Sequence, residues 1–380
     1  MTIKRIKKID YDENNKNNSD VFFSPKVFEI TTERGTFSTP NRMISKSEYN
    51  SKSSSFITLP MYNDLAIDFK ILDQPNFSKF LTQNKKIKEI ATRNKLFNIQ
   101  TLRTKLKCSF YQPTNPCFVN YSENEIKKFF RLQTMLQVDA NNDIITVPFL
   151  NLSKTKYKQI IRKILKDFDS LQFIFTLDMA MKDFEEILKF LLAYKKPMII
   201  AFIYRPFSDY GLQHDIINEL NGSEDVIFLA CQVGRELNNS SNIHPLQFSS
   251  FDLVALKQSP NRPDQNIHPE RIKFLRQNNL KLENPVNLSK ENLRKIIDEF
   301  KTEGYFDNDI KFIQESFDNI AKSGSEQFWY NTFYHLTKLH ESIISPEEFK
   351  ISREFIENHE TLDYIKTKSG LMEHPLIKRK

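Results

Sequence analysis

Five runs of nearly unbroken apolar residues mark the middle of this chain, at 143–147, 173–177, 198–203, 226–231 and 251–256. A strand with one wet face alternates in polarity, whereas a strand that is apolar throughout needs cover on both faces. Most of these runs are separated by segments of helical period. Ile160, Ile161, Ile164, Leu165 and Phe168 share one stripe, and Phe184, Ile187, Leu188, Leu191 and Leu192 share another. Upstream, Ser122-x-x-Glu125 has the form of a capping box, with Ile126, Phe129 and Phe130 following on one face. Asp215 to Leu220 reads as a short helix. This alternation predicts an α/β fold around a parallel sheet. In a chain of 380 residues the form that fits best is a (β/α)8 TIM-type barrel.

Residues 1–20 are polar, rich in Asn and Lys, and read as a flexible N-terminus. Val27 to Thr32 alternates like a strand, Arg34-Gly35 punctuates it, and Thr36 to Pro40 returns, which predicts a β-hairpin. The barrel is expected over 21–285, followed by a helical C-terminal region over 286–380. In that region Leu293, Ile296, Ile297 and Phe300 form one stripe, and helices are expected at Phe328 to Ile344 and Glu347 to Thr367.

Glycine narrows the function classes. The chain has only 7, none spaced as G-x-G-x-x-G or G-x-x-x-x-G-K. Phosphate-cradling loops need glycine so that backbone can approach the ligand, so Rossmann and P-loop enzymes are disfavoured. Cys108, Cys117 and Cys231 are sparse and odd in number, which reads as reduced thiols in a cytoplasmic protein. No apolar run has membrane-spanning length, and no cofactor is implied. His335 and His340 stand five apart, a poor spacing for two metal ligands on one helical face, so no metal site is expected.

The net charge of +7 suits a polyanionic partner. Basic residues gather at Lys85, Lys86, Lys88, Arg93, Lys95, Arg103, Lys105 and Lys107, interleaved with Phe97, Phe110 and Tyr111. That mixture fits a nucleic acid with unstacked bases, and it also fits a solvated helix face.

The most informative stretch is 226–262. A hydrophobic strand ends in Cys231-Gln232-Val233-Gly234, and a second begins Phe251-Asp252-Leu253-Val254. The continuation Lys257 to Arg262 is polar and basic. This layout resembles the tRNA-guanine transglycosylase superfamily (queuine and archaeosine tRNA-ribosyltransferases), as do the opening hairpin, its Arg-Gly turn and the Thr39-Pro40 pair. The resemblance implies a barrel enzyme that exchanges a guanine base in tRNA or DNA for another purine or 7-deazapurine. Asp252 would be its nucleophile, attacking C1′ and holding the sugar covalently until the new base arrives. Asp178, Gln232, Gly234, Lys257 and Arg262 are the candidate substrate-binding residues.

The chain departs from the family elsewhere. It has no Gly-Gly pair for the Asp-Ser-Gly-Gly-Phe-Gln motif, and no cysteine after Cys231 for the structural zinc site. Two readings therefore stand: an active transglycosylase, or a non-catalytic nucleic-acid-binding or partner subunit on a degenerate barrel. A homo- or hetero-dimer fits either, and an unrelated TIM-barrel enzyme is a third reading. Asp252 can equally be a strand-entry residue with a backbone hydrogen bond, and Asp178 a cap for the helix after it.

Overall fold

Eight strands lie side by side, all parallel, in a nearly closed barrel-like sheet. The computed structural model describes residues 5–11, 25–45, 65–100, 105–114, 121–149, 151–168, 171–193, 198–220, 226–257, 272–284 and 326–378. The chain opens with β1 (Arg5–Tyr11), β2 (Lys26–Thr32) and β3 (Gly35–Ser38), a three-stranded antiparallel sheet. The first barrel strand, β4 (Asn41–Ser45), follows. Then come β5 (Leu65–Leu72), α1 (Gln74–Thr82), α2 (Asn84–Gln100), β6 (Leu106–Pro113), α3 (Glu123–Asp139) and β7 (Ile145–Val147). The alternation continues through α4 (Lys154–Asp167), β8 (Phe173–Asp178), α5 (Phe184–Leu192), β9 (Met198–Ile203) and α6 (Phe207–Leu220) to β10 (Val226–Val233). A small hairpin, β11 (Glu236–Leu237) and β12 (Ser240–Ser241), and a 3-10 turn (Pro245–Phe248) lead to β13 (Leu253–Leu256). Beyond lie β14 (Phe274–Leu275), β15 (Leu282–Glu283), α7 (Glu326–Glu357), α8 (Thr361–Thr367) and α9 (Ser369–Met372).

The sheet order is β6-β5-β4-β13-β10-β9-β8-β7, so the barrel strands run round it in chain order. All five strands expected from the sequence lie in this one sheet. Strand polarity explains why. Met43, Ile67, Cys108, Ile174, Ala201, Leu229 and Ala255 belong to one cluster that fills the interior. Phe175, Phe202, Phe228 and Val254, on the opposite pleat face, join a second cluster beneath the helices. The helices supply the matching stripe, such as Tyr157, Ile161 and Ile164 of α4.

Where β6 meets β7 the strands share no ladder, and side chains close the seam. Lys107 N–H donates to Asp143 Oδ2 at 2.7 Å, while Asp143 N–H donates to Lys107 O at 3.0 Å. Thr146 Oγ1 donates to Ser109 O at 2.6 Å. Gln112 then clips the exit of β7, donating to Phe149 O at 2.9 Å and accepting from Phe149 N–H at 2.8 Å. The acid at 143, which the sequence groups with the strand, instead stands in for missing backbone pairing.

The β2–β3 hairpin forms as expected, turning through Glu33 and Arg34 with Gly35 opening β3, and floors the barrel at the strands' N-terminal ends. Thr32 Oγ1 donates to Lys105 O at 2.8 Å, and Arg34 Nε pairs with Asp143 Oδ1 at 3.0 Å. Phe28, Ile30 and Phe37 join the interior cluster from below. β1 extends this small sheet within the segment the sequence reads as loose. The 85–111 stretch is not one basic, aromatic surface. Lys107 is buried with Nζ on Ala140 O, and Phe110 and Tyr111 are buried in the core. Arg103 and the side chains of Arg93, Lys95 and Phe97 lie outside what the structure describes, as does the stripe from Leu293 to Phe300.

The long helix α7 packs on the outside of β4 and on β14. Arg42, fully buried, donates from Nη1 to Glu341 O at 2.9 Å, and Arg353 Nη1 donates to Pro40 O at 2.6 Å. The helix runs through Pro346 where the sequence suggests a break, and ends instead before His359, whose φ is +61°. These contacts on both sides of Pro346 outweigh the missing N–H.

Candidate functional site at the barrel mouth

In a parallel barrel the C-terminal strand ends carry chemistry because the loops that follow them converge there. At this mouth stand Asp178 at the end of β8, Arg205 just past β9, Gln232 near the end of β10, and Lys257 just past β13. These strands are consecutive neighbours in the sheet.

Asp178 and Arg205 form the polar centre. Arg205 grips the carboxylate with two hydrogen bonds, Nε to Oδ1 at 3.1 Å and Nη2 to Oδ2 at 2.9 Å. Oδ1 also accepts from Ala180 N–H at 2.9 Å. Asp178 is buried, whereas 39% of the Arg205 side chain remains accessible. The pair thus shows a guanidinium edge to solvent over the acid it is paired with. Asp178 does not cap the next helix, which starts at Phe184 after Asp183.

Gln232 holds φ at +62°, an uncommon conformation for a residue with a side chain. The cause is the register shift between Ala230 and Val233 where β10 pairs β13. Backbone strain at a strand's C-terminal end is a feature of ligand sites, and it aims this half-buried amide away from the regular pleat. Gly234 follows without positive φ, and a Cβ there would meet only Asn242 Nδ2, at 3.7 Å. Its backbone would accept alanine. Lys257 is exposed, anchored by its N–H to Val233 O at 2.7 Å. Arg262 lies outside the described residues.

Asp252 stands at the opposite end. It precedes β13, so roughly 16 Å of strand separates it from Lys257. Only 1% of it is accessible. Oδ2 accepts from Phe228 N–H at 2.7 Å and lies 3.5 Å from Lys26 Nζ, an ammonium set over the Phe28 and Phe228 rings. Its own backbone is fully used, N–H to Phe228 O at 2.8 Å and O to Asn41 N–H at 2.9 Å. The arrangement locks β10, β13, β4 and the floor hairpin together, which matches the strand-entry role. Burial raises its carboxyl to a pKa of about 6, against the opposing pull of Lys26 and the Phe228 N–H.

Among the described residues no group of three or more His, Cys, Asp or Glu could hold a metal ion. None of the described helices is long and apolar enough to cross a membrane. The partnership of Arg205 with Asp178 rests on the β8–β9 register and not on any spacing in the sequence. No protein-family model matches this chain, and no curated protein matches it either.

The buried titratable groups set an expected pH profile. Burial lowers His244 and His340 to about 3 and His374 to about 4, from an unfolded value near 6.5. Burial raises Asp143 and Asp252 to about 6, from near 3.9 unfolded. Between these limits the unfolded chain binds extra protons on the histidines, so their contribution falls as pH falls below about 6.5. The aspartates act oppositely, contributing stability below about 4 that is lost as pH rises to 6. Three larger shifts outweigh two smaller ones. Tm should therefore rise from pH 4 to pH 6.5, and His244→Phe, which can keep the stack on Phe349, should flatten the rise. A Tm that falls over this range would show that the aspartates dominate.

Proposed function

We propose that the protein is a non-catalytic, nucleic-acid-binding barrel with transglycosylase-like layout, in which Asp252 holds the fold together. The observation that carries this reading is the setting of Asp252: buried at the floor, bonded to Phe228 N–H and facing Lys26, at the end of the barrel away from Arg205 and Lys257. A nucleophile must reach the anomeric carbon of a bound nucleotide, and a carboxylate enclosed in this way does not. The excess of +7 and the accessible guanidinium at the mouth support a polyanionic ligand, with tRNA the first candidate.

A second reading, base exchange in tRNA or DNA, is favoured by one observation, the Asp178 carboxylate at the mouth, where barrel chemistry takes place. One experiment separates the two. Binding of bulk tRNA should be readily measured at low salt and weaken steeply as salt rises, while labelled guanine is not incorporated. Incorporation that is lost in Asp178→Asn would establish the second reading. Absence of tRNA and DNA binding at low salt would remove nucleic acid from both.

A further inference from the structure

We propose that the solvent face of α4 is the surface along which the nucleic-acid backbone runs, an inference that rests on the reading of this protein as a nucleic-acid binder. The helix Lys154–Asp167 carries six cations, Lys154, Lys156, Lys158, Arg162, Lys163 and Lys166, against the single acid Asp167, in a chain whose whole excess is +7. Four of them, Lys154, Lys158, Arg162 and Lys166, follow one another at i, i+4 spacing. They make an inclined ridge in axial steps of about 6 Å over about 18 Å, winding roughly 120° around the helix. At about 3.4 Å of axis per phosphate, that row spans about five nucleotides of one strand. It starts at the rim of the mouth, because α4 begins just past the C-terminal end of β7.

Folding alone gives no reason for this row. Like charges at i, i+4 destabilise a helix by about 0.2–0.5 kcal/mol per pair, and the row contains three such pairs in succession. The helix also lacks an acid in its first turn and a side-chain bond from Ser153, so the macrodipole meets Lys154 uncompensated within its own turn. Tyr157, Ile161 and Ile164 form its buried side.

Neighbouring elements neutralise the first cation of the row, Lys154, and present the next two on an aromatic ring. Lys158 Nζ lies 5.2 Å and the Arg162 guanidinium 5.4 Å from the centre of the Phe190 ring on α5. An aromatic face steadies a cation without cancelling its charge. Glu186 of α5 pairs with Lys154 at the helix start, and Glu185 is turned to Lys189 of its own helix. On the other flank Glu123 pairs with Lys127 of α3. Arg162, Lys163 and Lys166 are exposed. By contrast, in the basic segment picked out from sequence, Lys86 pairs with Glu89 and Lys107 is buried.

The test uses the full chain with bulk tRNA, comparing wild type with Lys158→Gln/Arg162→Gln/Lys166→Gln and with Lys85→Gln/Lys86→Gln/Lys88→Gln. The α4 variant should keep or slightly raise Tm, since it removes repulsion. It should bind tRNA at least about tenfold more weakly near 100 mM salt, with the slope of log K against log salt reduced by about 2 to 3. The α2 variant should stay within about threefold of wild type. If wild type binds tRNA with a steep salt slope and the α4 variant matches it in affinity and slope, this surface is not the track, though the binding reading stands. If wild type does not bind tRNA at low salt, both fall. Binding of polyglutamate that is lost in the α4 variant would then assign the face to an acidic protein instead.

Discussion

Replacing Asp252 by alanine should destabilise the protein by about 3–5 kcal/mol, the usual cost of breaking a buried ion pair from one side. The carboxylate is 1% accessible and Lys26 4% accessible, so water cannot take over the charge that is left. Phe228 N–H loses its side-chain acceptor at the same time. Asp252→Asn should cost less, because an amide oxygen can still accept from Phe228 N–H. Lys26→Met combined with Asp252→Leu should recover most of the loss, since an apolar pair asks for no charge compensation. Urea unfolding of the four proteins checks the cycle. A wild-type midpoint for Asp252→Ala would mean that the carboxylate is not held for folding.

The next largest effect is expected at the barrel seam. Asp143→Ala removes the acceptor of Lys107 N–H and the partner of Arg34 Nε, both at the point where β6 and β7 lack a ladder. The loss should be about 2–4 kcal/mol, from a charge-assisted bond to a buried amide and a half-buried ion pair. Because the seam opens locally, exchange of the Lys107 and Phe149 amide hydrogens should accelerate more than that of Leu229 in the continuous part of the sheet. Uniform acceleration would show that the barrel opens as one unit and that Asp143 is not a seam device.

Much of the barrel can be read from the chain because its strands between β7 and β13 are apolar on both faces, and only a sheet covered on both sides explains that. The remaining three barrel strands hide for a physical reason. β4 carries Asn41 and Arg42, whose polarity is absorbed by the floor and by α7, and β6 carries Lys107, whose ammonium is spent on Ala140 O. β5 alternates through Asp68 and Lys70. Tertiary partners make these polar residues compatible with a barrel, and such partners leave no local trace in sequence.

The candidate site was legible to a smaller degree. Asp252 announces itself as an acid that needs a partner, but Lys26 stands in the N-terminal hairpin, and nothing near Asp252 in the chain points to it. Its place at the start of a strand already indicated the end of the barrel away from the mouth. The α4 row was present in the very segment whose apolar stripe identifies the helix. Reading only the buried face of an amphipathic helix passes over the face that meets a partner.

The account's central claim is that Asp252 serves the fold and takes no part in covalent chemistry. It is tested most directly by incubating wild type and Asp252→Asn with tRNA, denaturing, and looking for a protein–RNA adduct by gel and by intact mass. The account predicts tRNA binding without an adduct in either protein, and a lower Tm for Asp252→Asn. An adduct formed by wild type and abolished in a fully folded Asp252→Asn would contradict it.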